Sequence, residues 1–166
     1  MYSYAPANIG SLPALLSTIL EGVRDSSDST SQKMAITFFH TLSTHWLGLA
    51  PSDPISVKLA EAGVDFRQFV LDTVLPSIFA AILSPDFDFN DAQASLLLTN
   101  TVSAFLRDLE KRLGPDFHVY LGQAVLPSLN VTPQLAMGLA LELEKKGSAN
   151  QFRKNLRSFL KEARGM

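Results

Sequence analysis

Apolar residues recur at spacings of three and four along most of the chain, which is the period of a helix with one buried face. This pattern predicts helices over about residues 13–23, 31–47, 65–83, 91–113, 115–127, 133–146 and 149–163. Residues 55–63 fit either a loop or a short helical turn. No segment shows the strict alternation of a strand, so the sequence predicts an all-α fold of about seven helices.

Capping residues support these helix ends. Asp65 and Thr132 are suited to the N-cap position, where a side-chain oxygen accepts a hydrogen bond from a free backbone N–H. Gly48, Gly114 and Gly147 follow predicted helix ends, where glycine adopts the left-handed conformation at no steric cost. We therefore expect short connections between well-defined helices.

Two proline-bearing segments repeat each other at a constant offset of 51 residues. Residues 65–78 and 116–129 both begin with Asp-Phe and both contain Val-Leu-Pro-Ser, with Pro76 and Pro127 in register. Proline removes one helical hydrogen bond and clashes one turn back, so each helix is expected to kink or restart there. A repeat of two antiparallel helices predicts an α-solenoid of HEAT-type hairpins, about three in number. A plain helical bundle with a chance resemblance is the alternative.

The composition is that of a globular chain. Hydrophobic residues make up 46% and charged residues 18% of the 166 residues, which argues against disorder. Cysteine is absent, so disulfides and thiolate chemistry are excluded. The longest apolar stretch is interrupted by Asp72 and Pro76, so we expect no membrane span, and the N-terminus shows no signal peptide.

Charge is divided unevenly along the chain. Residues 145–166 hold seven lysines and arginines and one acid, a net charge of +6, whereas residues 1–144 have a net charge of −8. On the last predicted helix the cations fall within about 100° of one another, beside an apolar side. A second basic group ends the helix that precedes Gly114. The candidate phosphate contacts are Arg107, Lys111, Arg112, Lys145, Lys146, Arg153, Lys154, Arg157, Lys161 and Arg164.

These cations have two interpretations. The terminal helix of a repeat protein needs a polar outer face for solubility, and lysine and arginine supply it. The basic stripe is almost free of acids while the rest of the chain is acidic, which favours binding of a polyanion. No aromatic residues interleave with the cations, so nucleic acid would be recognised by backbone and shape.

Residues for catalysis are not evident, and we predict no catalytic, cofactor-binding or metal-binding residue. His40 and His45 are five positions apart, about 140° around a helix, which is poor geometry for shared metal ligation. The chain contains none of the common phosphate-loop, nucleophile-elbow or zinc-protease motifs.

Several segments resemble the C-terminal end of the exportin-T family of importin-β-like karyopherins. They are SQKMAITFFHTLSTHW, FVLDTVLPSIFAAIL, the stretch FNDAQASLLLTNTVSAFLRDLEKRLGPDFHVYLGQAVLPSLNVTPQLA, and QFRKNLRSFLKEAR. The most specific parts are Asp91–Gln93, Gly114–Pro115, Tyr120–Leu121 and Leu126–Leu129. Residues 1–166 would then be a single segment of a larger solenoid, with residues 1–12 as a tail and the last helix at about 149–163.

The resemblance implies a non-enzymatic nuclear export receptor. The family binds tRNA together with the GTP form of Ran, contacts nuclear pore proteins, and shuttles between nucleus and cytoplasm. The main Ran-binding repeats would lie outside this segment, which would help to enclose the tRNA. The expected function is therefore to contribute phosphate contacts to tRNA through the basic edge.

A segment of a longer stack exposes the face that its preceding neighbour covered. We expect self-association of this chain through such an N-terminal face. The candidate residues are Leu12, Leu15, Leu16, Ile19 and Leu20.

Two other classes of function remain open. A HEAT-type scaffold would bind a partner protein without touching RNA, and its basic stripe would only solubilise the end. A helical enzyme domain is the least supported reading, because the sequence offers no convergent set of polar groups.

Overall fold

The computed structural model describes residues 12–24, 28–88 and 91–165, and these ranges contain eight helices and no strand. The helices are α1 (Leu12–Arg24), α2 (Ser29–Trp46), α3 (Pro54–Glu61), α4 (Phe66–Phe69, Val70–Val74 and Leu75–Leu83), α5 (Ala92–Leu113), α6 (Pro115–Tyr120, Leu121–Val125 and Leu126–Ser128), α7 (Pro133–Lys145) and α8 (Ala149–Ala163). The predicted all-α class is confirmed. Most of the predicted tail, residues 1–11, lies outside the described residues.

The described ranges contain one helix beyond the seven that the periodicity predicts, because the segment left open as a loop or a helical turn forms α3. The carboxylate of Asp53 accepts a hydrogen bond from the backbone N–H of Ile55 at 2.9 Å, and Pro54 occupies the first turn. Leu59 is the residue that α3 buries. One buried residue in eight leaves too weak a periodicity for sequence reasoning to detect.

The other helix ends follow the predicted caps, with one correction. The carboxylate of Asp65 accepts a hydrogen bond from the N–H of Gln68 at 3.1 Å, and the hydroxyl of Thr132 accepts one from the N–H of Leu135. Gly114 ends α5 with φ of +76°. Gly147 does not close α7, because the left-handed residue there is Lys146, with φ of +53°. A cation at this position is favoured by the negative end of the helix dipole.

Both repeated prolines lie just after a π-helical turn, and the two turns are again 51 residues apart. The N–H of Leu75 donates to the carbonyl of Val70, and the N–H of Leu126 donates to that of Leu121. The wider turn moves the preceding carbonyl away from the proline ring, so the helix continues through it. The predicted kink or restart is therefore resolved as a π-bulge in each repeat.

Three hairpins, α1–α2, α4–α5 and α6–α7, stack in two layers. In one layer α1 packs on α4, where Arg24 Nη2 donates to Ser77 Oγ at 3.3 Å. In the other layer α2 packs on α5, and α5 packs on α7. This arrangement is typical of helical-repeat folds, while the curvature of a solenoid stays a prediction.

Helix α8 turns back into the stack instead of adding a layer to it. It packs on α7, on α5 and on the C-terminal part of α4. Phe159 meets Phe79 of α4 edge to face with ring centroids 6.3 Å apart, and Leu156 and Leu160 are fully buried. The helix therefore fills a groove between the second and third hairpins.

The predicted N-terminal docking face is wrong for two of its five candidate residues. Leu16 and Leu20 are buried, because α1 packs against α2 and α4 of the same chain. Leu15 is 38% exposed and Ile19 is half-buried. The side chain of Leu12 lies outside the described residues. Self-association stays a prediction, and α1 offers little apolar surface for it.

The residues Phe66–Leu83 of α4 are long and apolar enough to cross a membrane, judged by length and composition alone. However, 56% of this window is buried inside the protein. A core helix of a folded domain gives the same pattern, and the packing of α4 on α1 and α8 accounts for its composition.

A hydrogen bond links the first helices of the second and third hairpins. The Tyr120 hydroxyl donates to the carboxylate of Asp72, to which Gln68 Nε2 also donates. The bond from Tyr120, with a smaller contribution from Gln68, lowers the pKa of Asp72 below its ordinary value of 3.8. The same bond raises the pKa of Tyr120 above 10.0. All three groups lie at the surface.

The substitution Gly122→Ala tests the packing within the third hairpin. A Cβ at Gly122 would lie 3.1 Å from the Cβ of Ala140 and 3.4 Å from the carbonyl oxygen of Ala136. Neither atom can move without moving α7, so we expect a loss of about 1–2 kcal/mol in urea unfolding. Gly138→Ala is the control, because no atom lies within 4 Å and helix propensity predicts a gain of about 0.5–1 kcal/mol. Equal shifts for the two variants would contradict close packing at Gly122.

The substitution Tyr120→Phe tests the link to Asp72. Because the folded state lowers the pKa of Asp72, the bond stabilises the fold above its ordinary value of 3.8 and its contribution is lost as the pH falls below it. Because the folded state raises the pKa of Tyr120, the contribution is also lost as the pH rises beyond 10.0. Between pH 3.8 and pH 10.0 we expect the variant to have a lower free energy of unfolding than the parent chain. Outside this range the difference between the two proteins should shrink. Urea unfolding at a series of pH values measures it. A difference independent of pH would contradict this link.

Candidate nucleic-acid interface

The ten predicted cations lie in two regions. The α8 stripe consists of Arg153, Lys154, Arg157, Lys161 and Arg164. The corner groove lies where the end of α7 meets α2, α5 and the start of α8, and Arg107, Lys111 and Lys146 line it. Arg112 and Lys145 lie near this corner but do not line the groove. The two regions are separate surfaces, and α8 contributes residues to both.

The α8 stripe owes its orientation to the periodicity of the helix. Ser148 caps it, accepting from the N–H of Gln151 at 3.1 Å. Its apolar residues, Phe152, Leu156, Phe159 and Leu160, are all buried. Since the cations occupy the adjacent side, burial of the apolar side presents them to solvent.

Three cations of the stripe have no carboxylate partner in the described part of the chain. Lys154 and Lys161 are exposed, and Arg157 is half-buried. No described acid lies within ion-pair distance of any of them. Arg153 donates to the side-chain oxygen of Asn150 at 3.3 Å, a neutral acceptor. The charges of Lys154, Arg157 and Lys161 are therefore not neutralised by any carboxylate of the described ranges.

Two of the predicted phosphate contacts hold α8 in place. Arg107 Nη2 donates to the carbonyl oxygen of Gly147 at 2.9 Å, just before α8 begins. Arg164 Nη2 donates to the carbonyl oxygen of Pro85 at 3.5 Å, just after α8 ends. These bonds fasten the two ends of α8 to opposite ends of the second hairpin, so α8 runs antiparallel to α5.

The corner groove has a volume of about 570 Å³ and contains as many carboxylates as permanent cations. Its charged and titratable lining residues are His40, Arg107, Asp108, Glu110, Lys111, Glu142 and Lys146. With a neutral imidazole the charges of these side chains sum to zero. The cations that line the groove therefore lie among an equal number of carboxylates.

Each carboxylate of the groove has a partner. Asp108 Oδ2 lies 3.2 Å from His40 Nε2 and 2.8 Å from Arg112 Nε. Lys145 Nζ lies 3.1 Å from Glu142 Oε1, so the charges of Arg112 and Lys145 are locally neutralised.

Glu110 is paired with a histidine. His118 Nδ1 lies 3.0 Å from both carboxylate oxygens of Glu110. The side chain of His118 is only 12% exposed and that of Glu110 only 6%. The contacts of His40 and His118 with these carboxylates join different helices, so sequence reasoning gave no sign of them.

Metal ligation has no support in the described ranges, which contain no group of three His, Asp or Glu side chains able to hold an ion. His40 faces α5 and packs its ring on Phe105, with the two centroids 5.2 Å apart.

Comparison with known proteins identifies one family. The family model Exportin-T matches residues 4–164. The chain is 31% identical over 157 residues to Exportin-T of Coprinopsis cinerea and 28% identical over 158 residues to Exportin-T of Mycosarcoma maydis. Each alignment covers 95% of this chain and 14% of the relative. Exportin-T of Mus musculus is 29% identical over 150 residues, 90% of this chain and 14% of the relative. No solved structure matches the chain.

The substitution Arg107→Met tests whether Arg107 anchors α8. Loss of the hydrogen bond to Gly147 should lower the free energy of unfolding by about 1 kcal/mol. Lys111→Met, one turn further along α5, removes an exposed cation without such a bond, and its effect should stay within about 0.5 kcal/mol. Urea unfolding of both variants measures the difference. Equal losses would show that Arg107 acts only as a surface charge.

Proposed function

The chain belongs to the exportin-T family, and on this basis we propose that it is a helical-repeat segment of a nuclear export receptor that contacts tRNA through the α8 stripe. It spans 14% of the length of the curated relatives it matches. The receptor's RanGTP dependence, its contacts with nuclear pore proteins and its shuttling between nucleus and cytoplasm form part of the proposal. Most contacts with Ran would involve parts of the receptor outside this segment.

The observation that supports tRNA contact best is the set of uncompensated cations on α8. Lys154, Arg157 and Lys161 have no carboxylate partner in the described ranges, and burial of the apolar side fixes the helix that presents them. Cations of this kind bind phosphate and release condensed counterions, which gives a salt-dependent affinity. The stripe carries no aromatic platform for bases, so it is suited to the backbone of a folded RNA.

The remaining predicted contacts have smaller parts in this proposal. Arg107 and Arg164 hold α8, and Arg112 and Lys145 are paired with acids. An arginine that is already bonded can still add to the local potential, but it offers fewer donors to a phosphate. We therefore assign the main contacts to Lys154, Arg157 and Lys161, with Arg153 beside them.

A second candidate function, a scaffold for a protein partner, is favoured by a different surface. Met137 and Leu141, one turn apart on α7, are 49% and 47% exposed. Paired apolar side chains at the surface suit a protein contact rather than a phosphate. A receptor can use both surfaces, but a scaffold without RNA contact would leave the α8 stripe unused.

The proposal is tested by titrating the chain with mature tRNA at two salt concentrations. The triple reversal Lys154→Glu, Arg157→Glu and Lys161→Glu should weaken binding at least about tenfold at low salt. It should also flatten the plot of log affinity against log salt by about 0.7–0.9 for each lost phosphate contact.

A matched control has the same change of net charge. It carries Lys33→Glu, Lys58→Glu and Arg67→Glu, which lie on α2, α3 and α4. Its affinity should fall much less than that of the α8 variant. Equal losses would show that net charge alone attracts RNA, and no binding by the parent chain would favour the scaffold.

A further inference from the structure

Another cavity, the Trp46 pocket, lies where α3 joins the first hairpin to the second. The end of α2, α3 itself, the start of α4 and the end of α5 form its walls, and its volume is about 610 Å³. This volume falls within the range of about 300–1,000 Å³ that is usual for ligand sites. The pocket shares no lining residue with the corner groove or with the α8 stripe.

The lining of the Trp46 pocket is mainly apolar. Trp46, Leu59 and Phe66 are buried in it, and each is less than a tenth exposed. The rings of Trp46 and Phe66 meet edge to face, with centroids 5.2 Å apart. A cavity with such a lining suits a large apolar side chain, because entry into it removes that side chain from water.

The polar side chains of the pocket offer N–H donors without acceptors. Trp46 is only 8% exposed, yet its indole N–H donates to no group in the described ranges. The guanidinium of Arg67 has no hydrogen-bond or ion-pair partner in these ranges. Arg112 donates from Nε to Asp108, which leaves its two Nη groups without an acceptor there. A ligand of this pocket must therefore supply acceptors.

Two carboxylates lie near these donors, and both are engaged. Asp65 lines the pocket and accepts from the N–H of Gln68 at 3.1 Å as the cap of α4. Asp108 accepts from Arg112 Nε at 2.8 Å. The charges of the two arginines and the two aspartates sum to zero. The pocket is therefore suited to a ligand with few charges rather than to a polyanion.

We propose that the Trp46 pocket binds a linear segment of a partner protein in which a large apolar side chain stands beside an acidic residue. The apolar side chain fills the cavity, and the carboxylate accepts from Arg67 and Arg112, whose paired N–H groups match its two oxygens. Tryptophan and arginine are also the residues that most often carry the binding energy of protein interfaces.

Two other occupants fit the pocket less well. Residues 1–11 of this chain contain no acid, so they do not supply the carboxylate. A nucleic acid brings many phosphates to a surface whose nearest charges cancel. The inference goes beyond the proposed function and does not rest on it, because the α8 stripe contributes nothing to this pocket.

The test uses Trp46, the only tryptophan of the chain, as a fluorescent reporter inside the pocket. The probes are short peptides, capped at both ends and free of tryptophan and tyrosine, in which leucine or phenylalanine is flanked by aspartate. Two matched sets replace aspartate by serine or by lysine. We expect a saturable change of fluorescence with the aspartate peptides and binding at least about tenfold weaker with both matched sets.

Four variants of the chain locate the binding. Arg67→Gln and Arg112→Gln should each weaken the aspartate peptides about fivefold, because each removes a charged donor. Ala60→Leu adds bulk at an exposed position of α3 that lines the pocket, and it should weaken them at least about tenfold. The control Lys33→Gln removes an exposed cation from the other end of α2 and should leave the affinity unchanged.

Several results would overturn the inference. One is the absence of a fluorescence change with every peptide, and another is equal binding of the serine or lysine peptides. Equal losses in Lys33→Gln and in the two arginine variants would show attraction by net charge alone. A change that tRNA causes and no peptide causes, and that Ala60→Leu abolishes, would assign the pocket to RNA instead. None of these results bears on the α8 stripe, which has its own test.

Discussion

The burial of the apolar side of α8 between the second and third hairpins is the constraint on which the candidate interface depends. Four large side chains, Phe152, Leu156, Phe159 and Leu160, lose their contact with water, which is worth about 6–12 kcal/mol at most. The polar anchors at the two ends of α8 contribute about 1 kcal/mol each. Hydrophobic burial therefore positions the helix, and the arginine anchors fix its ends; the outward direction of the cations follows from both.

The sequence predicted those features that depend on local periodicity or on repetition. Seven helices, their caps and the class of fold follow from residues close together in the chain, and the two prolines in register marked equivalent turns. The π-bulges were not foreseen, because sequence shows that a proline must be accommodated but not how. Met34 has helical spacing with buried neighbours yet is 68% exposed, because the breadth of a buried face depends on which helices pack beside it.

The candidate site was less predictable, since the charge of a surface depends on partners far away in the chain. His40 and Asp108 are 68 residues apart, and the anchor from Arg107 reaches 40 residues along the chain. A count of lysines and arginines treats all ten as equal. The structure separates the anchors and the paired charges from the uncompensated charges of α8, while Lys111 and Lys146 lie among the carboxylates of the corner groove. A cation without a carboxylate beside it retains more of its attraction for phosphate.

The α8 stripe and the corner groove differ in how their cations are compensated. Lys154, Arg157 and Lys161 on α8 are permanent cations without an acidic partner in the described ranges, so salt concentration is the variable that should govern their attraction for a polyanion. In the corner groove three carboxylates lie among the three lining cations, and His40 and His118 each contact one of these carboxylates. These carboxylates lower the non-specific attraction of that surface for a polyanion, because their negative potential offsets the positive potential of the neighbouring cations.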